Sequence, residues 1–125
     1  DEFLNTYWAD GLIVATPTGS TGYSLSCGGP IIMPGTDNFV ITPIAQHNLN
    51  VRPIVIDSNS IIKLKVEDRD KLALVTLDSC SRAFDSSVEL TIKKANFTIN
   101  LIEPEGNTFS STIRHKLMWG LDKRN

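Results

Sequence analysis

The sequence predicts a mainly β chain: an antiparallel, sandwich-like domain with one short helix after its first strand and a second helix near its C-terminus. Three observations carry this. Short apolar and alternating segments follow one another without helical crossovers, which favours an antiparallel arrangement over a doubly wound sheet. A stretch rich in Gly, Ser and Thr separates the first apolar run from the next. The apolar period lengthens to four only near the end, at Phe109, Ile113 and Leu117, which share one helical face.

The elements follow in order. Gly11-Leu12-Ile13-Val14-Ala15-Thr16 reads as a buried strand. Thr21 to Cys27 reads as a short helix, capped by Ser20 or Thr21 and stopped by Gly28-Gly29-Pro30. Phe39 to Ile44 and Val51 to Ile56 are apolar runs that each contain a proline. Pro43 and Pro53 remove backbone donors, which places these strands at edges or breaks them there. Ile62, Leu64 and Val66 alternate with Lys63, Lys65 and Glu67, a strand with one wet face. Asp68-Arg69-Asp70-Lys71 is a polar turn, and Leu72 to Leu77 returns from it. Val88, Leu90 and Ile92 alternate again, as do Phe97, Ile99 and Leu101. The last helix takes Thr108 or Ser110 as its cap and ends near Gly120. Six or seven strands result, in one domain.

Bulk properties narrow the function. The 125 residues fit one modest domain or part of a larger protein, and the net charge is −2 with scattered Lys and Arg. No basic face suits nucleic acid, and no apolar run reaches the roughly 20 residues of a membrane span. The acidic N-terminus is no signal peptide, and the missing initiator Met suggests a processed or trimmed piece. Cys27 and Cys80 form no CxxC, so a reduced, cytoplasmic protein is the simplest reading.

The segment Thr16-Pro17-Thr18-Gly19-Ser20-Thr21-Gly22-Tyr23 lies between a strand and a helix. Its glycines allow close backbone approach, and its amides and hydroxyls suit an anion or the polar edge of a nucleotide. It has no Gly-Lys-Ser/Thr, no GxGxxG and no GxSxG, which excludes the phosphate loop, the dinucleotide fingerprint and the hydrolase elbow. Tyr23 is either a ring offered to a ligand or a core tyrosine with its hydroxyl bonded.

From Asp10 to Pro30 the chain reads DGLIVATPTGSTGYSLSCGGP, which resembles the signature block of the NAD kinase family. The resemblance continues through His47-x-Leu49-x-x-Arg52-Pro53-Ile54-Val55, Asp78-Ser79 and Lys116-Leu117-x-Trp119, and so spans nearly the whole chain. It implies a kinase that moves the γ-phosphoryl of ATP, or polyphosphate, to the 2′-hydroxyl of NAD's adenosine ribose, with a divalent metal such as Mg2+. It also implies a homo-oligomer with the NAD site near a subunit interface, and a β-rich C-terminal domain that carries most NAD contacts.

By that resemblance Asp10, Thr21, Gly22, Tyr23, Ser24, Leu25, Ser26 and Ala45 contact NAD. Gly22 stands where the family has Ala, and His47 is taken as structural. Trp8 and Cys80 are further NAD-binding candidates that depart from the pattern, standing where many members have a basic residue and a Gln. The family's GGDGT loop, which supplies the base, and its Asn-Glu pair do not occur in this sequence, so no catalytic residue and no metal ligand is assigned. Residues 1–125 are then a single, partial NAD-binding β domain, expected to hold substrate without turning it over. The alternatives are a noncatalytic β-sandwich module for oligomerisation or ligand sensing, and a lipid-kinase relative, which the polar loop disfavours.

Overall fold

Strand β1 (Gly11–Ala15), β2 (Asn38–Ile44) and β3 (Ile54–Asp57) form a three-stranded sheet in that order, in a computed structural model that describes residues 2–121. The ends of the expected 1–125 domain lie outside the described residues. Mainly antiparallel β structure with few helices is what the sequence predicts, and seven strands form among the described residues. They fall into three sheets and two compact units, Asp1–Ile56 with Asn96–Asn125, and Asp57–Ala95.

In the first unit β1 pairs antiparallel with β2, from Gly11 opposite Ile44 to Ala15 opposite Val40. The prolines had placed β2 at an edge or broken it. It is instead the unbroken middle strand, and Phe39, Val40, Ile41, Thr42 and Pro43 are all buried. An antiparallel residue sends its N–H to only one neighbour, so Pro43, opposite Leu12, forfeits one donor. Burying Phe39, Val40 and Ile41 stabilises by about 1.5–3 kcal/mol each, which outweighs that loss. Pro53 instead precedes β3, a position that costs no ladder bond.

A 3-10 turn, Thr18–Thr21, leads into α1 (Tyr23–Ser26), the expected helix after the first strand. Neither Ser20 nor Thr21 caps it. Gly22 holds the cap position without a side-chain bond, because Ser20 is drawn inward. Its hydroxyl donates to Pro17 O at 2.6 Å and accepts from Ile32 N at 3.0 Å. The second helix, α2 (Phe109–Leu117), forms where the four-residue period places it. Thr108 caps it, in a reciprocal box with Ser111. Ile113 is its buried residue, and Met118, at φ 54°, closes it before Gly120.

In the second unit β4 (Ile62–Leu64) pairs with β7 (Leu90–Ile92), and β5 (Leu72–Leu77) with β6 (Cys80–Asp85). Strand β6 was not foreseen: its sequence, CSRAFD, lacks apolar alternation. Its register comes from the two-residue turn Asp78-Ser79, with Asp78 at φ 49°, which sets Leu77 opposite Cys80. Asp57, Asp68 and Asp85 accept backbone N–H groups two residues on, the solvated turn role their contexts predict.

One expected strand does not form. Phe97, Ile99 and Leu101 have no strand structure and are 71%, 81% and 77% exposed. Alternation specifies which face a strand would bury, but the ladder needs a partner, and none pairs with this segment among the described residues. No helix among those residues is long and apolar enough to cross a membrane.

Candidate functional site

The segment after β1 is built by hydroxyls and glycines. Gly19 N donates to Thr16 Oγ1, Ser20 N to Pro17 O and Gly22 N to Gly19 O. These three amides are therefore engaged inside the turn. The turn presents the Tyr23 ring, 63% exposed, and the side chain of Ser26. Tyr23 is accordingly not the core tyrosine that was its alternative.

Ser24 faces the other way. It is 1% exposed, and its hydroxyl bonds that of the fully buried Thr42 at 2.8 Å. Gly29 closes over this pair, and its N–H donates to Ser24 O at 2.8 Å. A Cβ at position 29 would lie 2.4 Å from Ser24 Oγ and 2.9 Å from Thr42 Oγ1, so only glycine fits. Gly28, at φ 85°, turns the chain out of α1 toward it. Because Thr42 pairs with Ile13, this knot sets α1 over the middle of the β1–β2 pair. Thr42's part leaves no mark in the sequence, since a Thr inside an apolar run reads as a strand former.

Thr21 and Leu25 are half-buried, and Gly22 is exposed. A Cβ at Gly22 would lie 3.2 Å from Gly19 O, tight enough to require a small shift. Thr21 also lines a groove of about 230 Å³ with Phe109, Thr112, Ile113, Lys116 and Leu117 of α2.

A second group gathers at the start of β1. Asp10 N donates to Ile44 O at 2.9 Å, and His47 N donates to Trp8 O at 2.8 Å. Trp8, Asp10, Ala45 and His47 are thus brought together at one end of the β1–β2 pair. Asp10 and Trp8 are exposed, as is Ala45, whose φ of 47° is left-handed. For a residue with a Cβ that conformation costs about 1–2 kcal/mol, and such strain concentrates at working sites. Asp10 lies three residues before Ile13, about 10 Å along the strand. The two groups are therefore held on the same β1–β2 pair.

Tyr7, beside Trp8, has its phenol pKa raised above the ordinary value by burial. Cys80 belongs to the second unit, where it opens β6 and is exposed. Among the described residues no three His, Cys, Asp or Glu side chains gather to hold a metal.

Two residues of the second group escaped the sequence reading. Gln46 Nε2 donates to Val51 O at 2.6 Å, and Arg52 Nη1 donates to Leu49 O and to Val51 O. Arg52 lies within the His47–Val55 resemblance, but a bond to a backbone oxygen leaves no pattern in sequence.

The profile of the ATP-NAD kinase C-terminal domain matches residues 1–103. The chain is 58% identical, over all 125 of its residues, to an NAD kinase of Christiangramia forsetii. Over 124 residues, 99% of the chain, it is 60% identical to an NAD kinase of Flavobacterium psychrophilum. It spans 42% of the length of each of these relatives. Among solved structures, a yeast NADH kinase complexed with NADH superposes with a TM-score of 0.71 at 25% identity, covering 97% of this chain and 38% of that one. An NAD kinase from Archaeoglobus fulgidus in complex with ATP gives 0.68 at 37% identity, over 75% of this chain and 36% of that one. With its strand-turn-helix segment and its β-rich fold both matched, the chain belongs to the ATP-NAD kinase C-terminal domain family.

Proposed function

We propose that the protein carrying this chain phosphorylates the 2′-hydroxyl of NAD's adenosine ribose to give NADP, with ATP or polyphosphate as donor, and that this chain forms the dinucleotide-binding wall. The single observation that carries the reading is the 58% identity over the whole chain to an NAD kinase. The geometry supports it. Tyr23 offers an exposed ring for a base or the nicotinamide, and Asp10 a carboxylate that can accept from an amide or amino group.

The wall is assigned to Asp10, Thr21, Gly22, Tyr23, Leu25, Ser26 and Ala45, with Trp8 adding an aromatic face. Ser24 acts from beneath, holding α1 to Thr42. The fold's part is to orient the ribose and exclude water, so that the attacking hydroxyl meets the phosphoryl group in line. No residue here is assigned as the base. The divalent metal, Mg2+ by the family resemblance, would neutralise charge on the ATP phosphates. The described residues do not gather a site for it. The same reading carries a homo-oligomer with the NAD site near its interface, and a cytoplasmic location.

The test is a coupled assay of the full-length protein with NAD, ATP and Mg2+, together with NAD titration of the 125-residue chain followed by Trp and Tyr fluorescence. NADP formation by the former and saturable binding without turnover by the latter are expected. A full-length protein that binds NAD but forms no NADP would refute the kinase assignment. Turnover by the chain alone would refute the placement of the base outside it.

A further inference from the structure

The loop that follows β2 is tied to itself by two side chains that neither the NAD-binding run nor the core requires. Gln46 reaches across the loop to Val51 O, and Arg52 reaches back to Leu49 O and Val51 O, so the Val51 carbonyl receives both donors. At its root stands Ala45 with its left-handed backbone, and one residue after Gln46 the His47 amide holds Trp8 O. The tie encloses six residues around an exposed tip, Leu49, which is 87% exposed and contributes no core packing.

The arrangement is costly for stability. Gln46 buries its Oε1 with no hydrogen-bond partner among the described residues, while Ala45 sits in a conformation that its Cβ disfavours. A loop whose only task was to join β2 to β3 would need neither. Local costs of this kind persist where geometry serves a site.

We infer that Gln46 and Arg52 are positioning residues for the dinucleotide: by tying the loop at Val51 they keep Ala45 in its left-handed backbone and the His47 amide on Trp8, and so fix the pocket's edge beside Asp10. The inference rests on the NAD kinase reading above, for which Ala45, Trp8 and Asp10 are ligand contacts. Neither Gln46 nor Arg52 needs to touch the substrate. The effect belongs to binding in ground and transition states alike, and therefore to KM rather than kcat.

The test uses the full-length protein with Gln46→Glu, which cannot donate to Val51 O, and Arg52→Met, which keeps an unbranched stem but has no hydrogen-bond donor. Losing one such bond is worth roughly a three- to tenfold change in an equilibrium. Each variant is expected to raise KM for NAD by about that factor, with kcat within about twofold and KM for ATP unchanged. Amide hydrogen exchange at His47 should quicken in both variants, while exchange at the β2 amides stays as in the wild type. Unchanged KM for NAD in both variants would overturn the inference, as would a raised KM without faster exchange at His47. A fall in kcat at constant KM would assign the loop a purely structural role and overturn it too. If the wild-type protein forms no NADP, the functional reading fails with its consequence for KM, whereas slow exchange at His47 in wild type and faster exchange in both variants would still establish the tie.

Discussion

Gly29→Ala tests the packing that seats α1. The new Cβ would meet Ser24 Oγ at 2.4 Å, Ser24 O at 2.8 Å and Thr42 Oγ1 at 2.9 Å. The second is backbone and cannot swing away, and turning either hydroxyl aside would break the 2.8 Å bond between them inside a site with almost no solvent. Overpacking costs about 1–3 kcal/mol, and leaving buried hydroxyls unpaired costs about 1–3 kcal/mol more. The two share atoms and do not add fully, so about 2–4 kcal/mol is expected. Gly28→Ala is the control: nothing lies within 4 Å of its Cβ, and only its φ of 85° resists, at about 1–2 kcal/mol. For a domain of this size each kcal/mol shifts the melting temperature by about 3–5 °C. Thermal unfolding should therefore place Gly29→Ala well below Gly28→Ala, and NAD titration should show weaker binding by the former. A Gly29→Ala protein as stable as the Gly28→Ala protein would refute the claim that the Ser24–Thr42–Gly29 knot is closely packed.

Ser24→Ala and Ser26→Ala should separate support from contact. The first is expected to lower stability by about 1–2 kcal/mol, and the second to weaken NAD binding with stability unchanged. Equal melting curves for the two would sink the distinction. Tyr23→Ala removes an exposed ring, so stability should move by no more than about 0.5 kcal/mol while NAD affinity falls about tenfold or more. A large loss of stability in calorimetry would show instead that the ring packs. Thr108→Ala should cost about 1 kcal/mol through the lost cap of α2, read by chemical denaturation. At the pH extremes two groups act with opposite signs. Asp85 is held below the ordinary carboxylate range by the Ser87 hydroxyl and the Ser87 backbone N–H, so its stabilisation is present above about pH 4 and fades as pH falls. Tyr7 has its pKa raised by burial, so its contribution is intact below about pH 10 and is lost as pH rises beyond. Asp85→Asn should flatten the acid limb of a stability–pH curve, and Tyr7→Phe the alkaline limb.

What the sequence reveals depends on whether a feature is local. The turn at Asp68 to Lys71 and the strand Leu72 to Leu77 each follow from a few neighbouring residues and appear as read, and of the two caps offered, Thr108 and Ser110, the first is used. The errors occur where a distant partner decides. Pro43 signals an edge strand, but β1 and β3 enclose β2 and the apolar burial outweighs one missing donor. Phe97, Ile99 and Leu101 signal a strand but find no ladder among the described residues. Strand β6 carries no apolar signal and exists because β5 and a two-residue turn set its register.

The site divides along the same line. The run from Thr21 to Ser26 was legible as a segment, but alternate residues within it do different things, and only packing separates them. Over the one turn of α1, Tyr23 and Ser26 face outward while Ser24 faces the sheet, because a helix rotates its side chains by about 100° per residue. A motif quoted as six consecutive contacts therefore cannot be six equivalent contacts once it is wound into a turn. The residue turned inward constrains the others: Ser24 is fixed to Thr42, Thr42 is fixed opposite Ile13, and Ile13 lies three residues from Asp10. Tyr23 and Asp10, thirteen residues apart with a turn between them, are thereby related through one strand. The prediction that follows is specific: Thr42→Val, which touches no ligand in this reading, should weaken NAD binding in step with Ser24→Ala, and a double mutant should lose little more than either alone. Full additivity in the double-mutant cycle would break the chain of support from Asp10 to Tyr23.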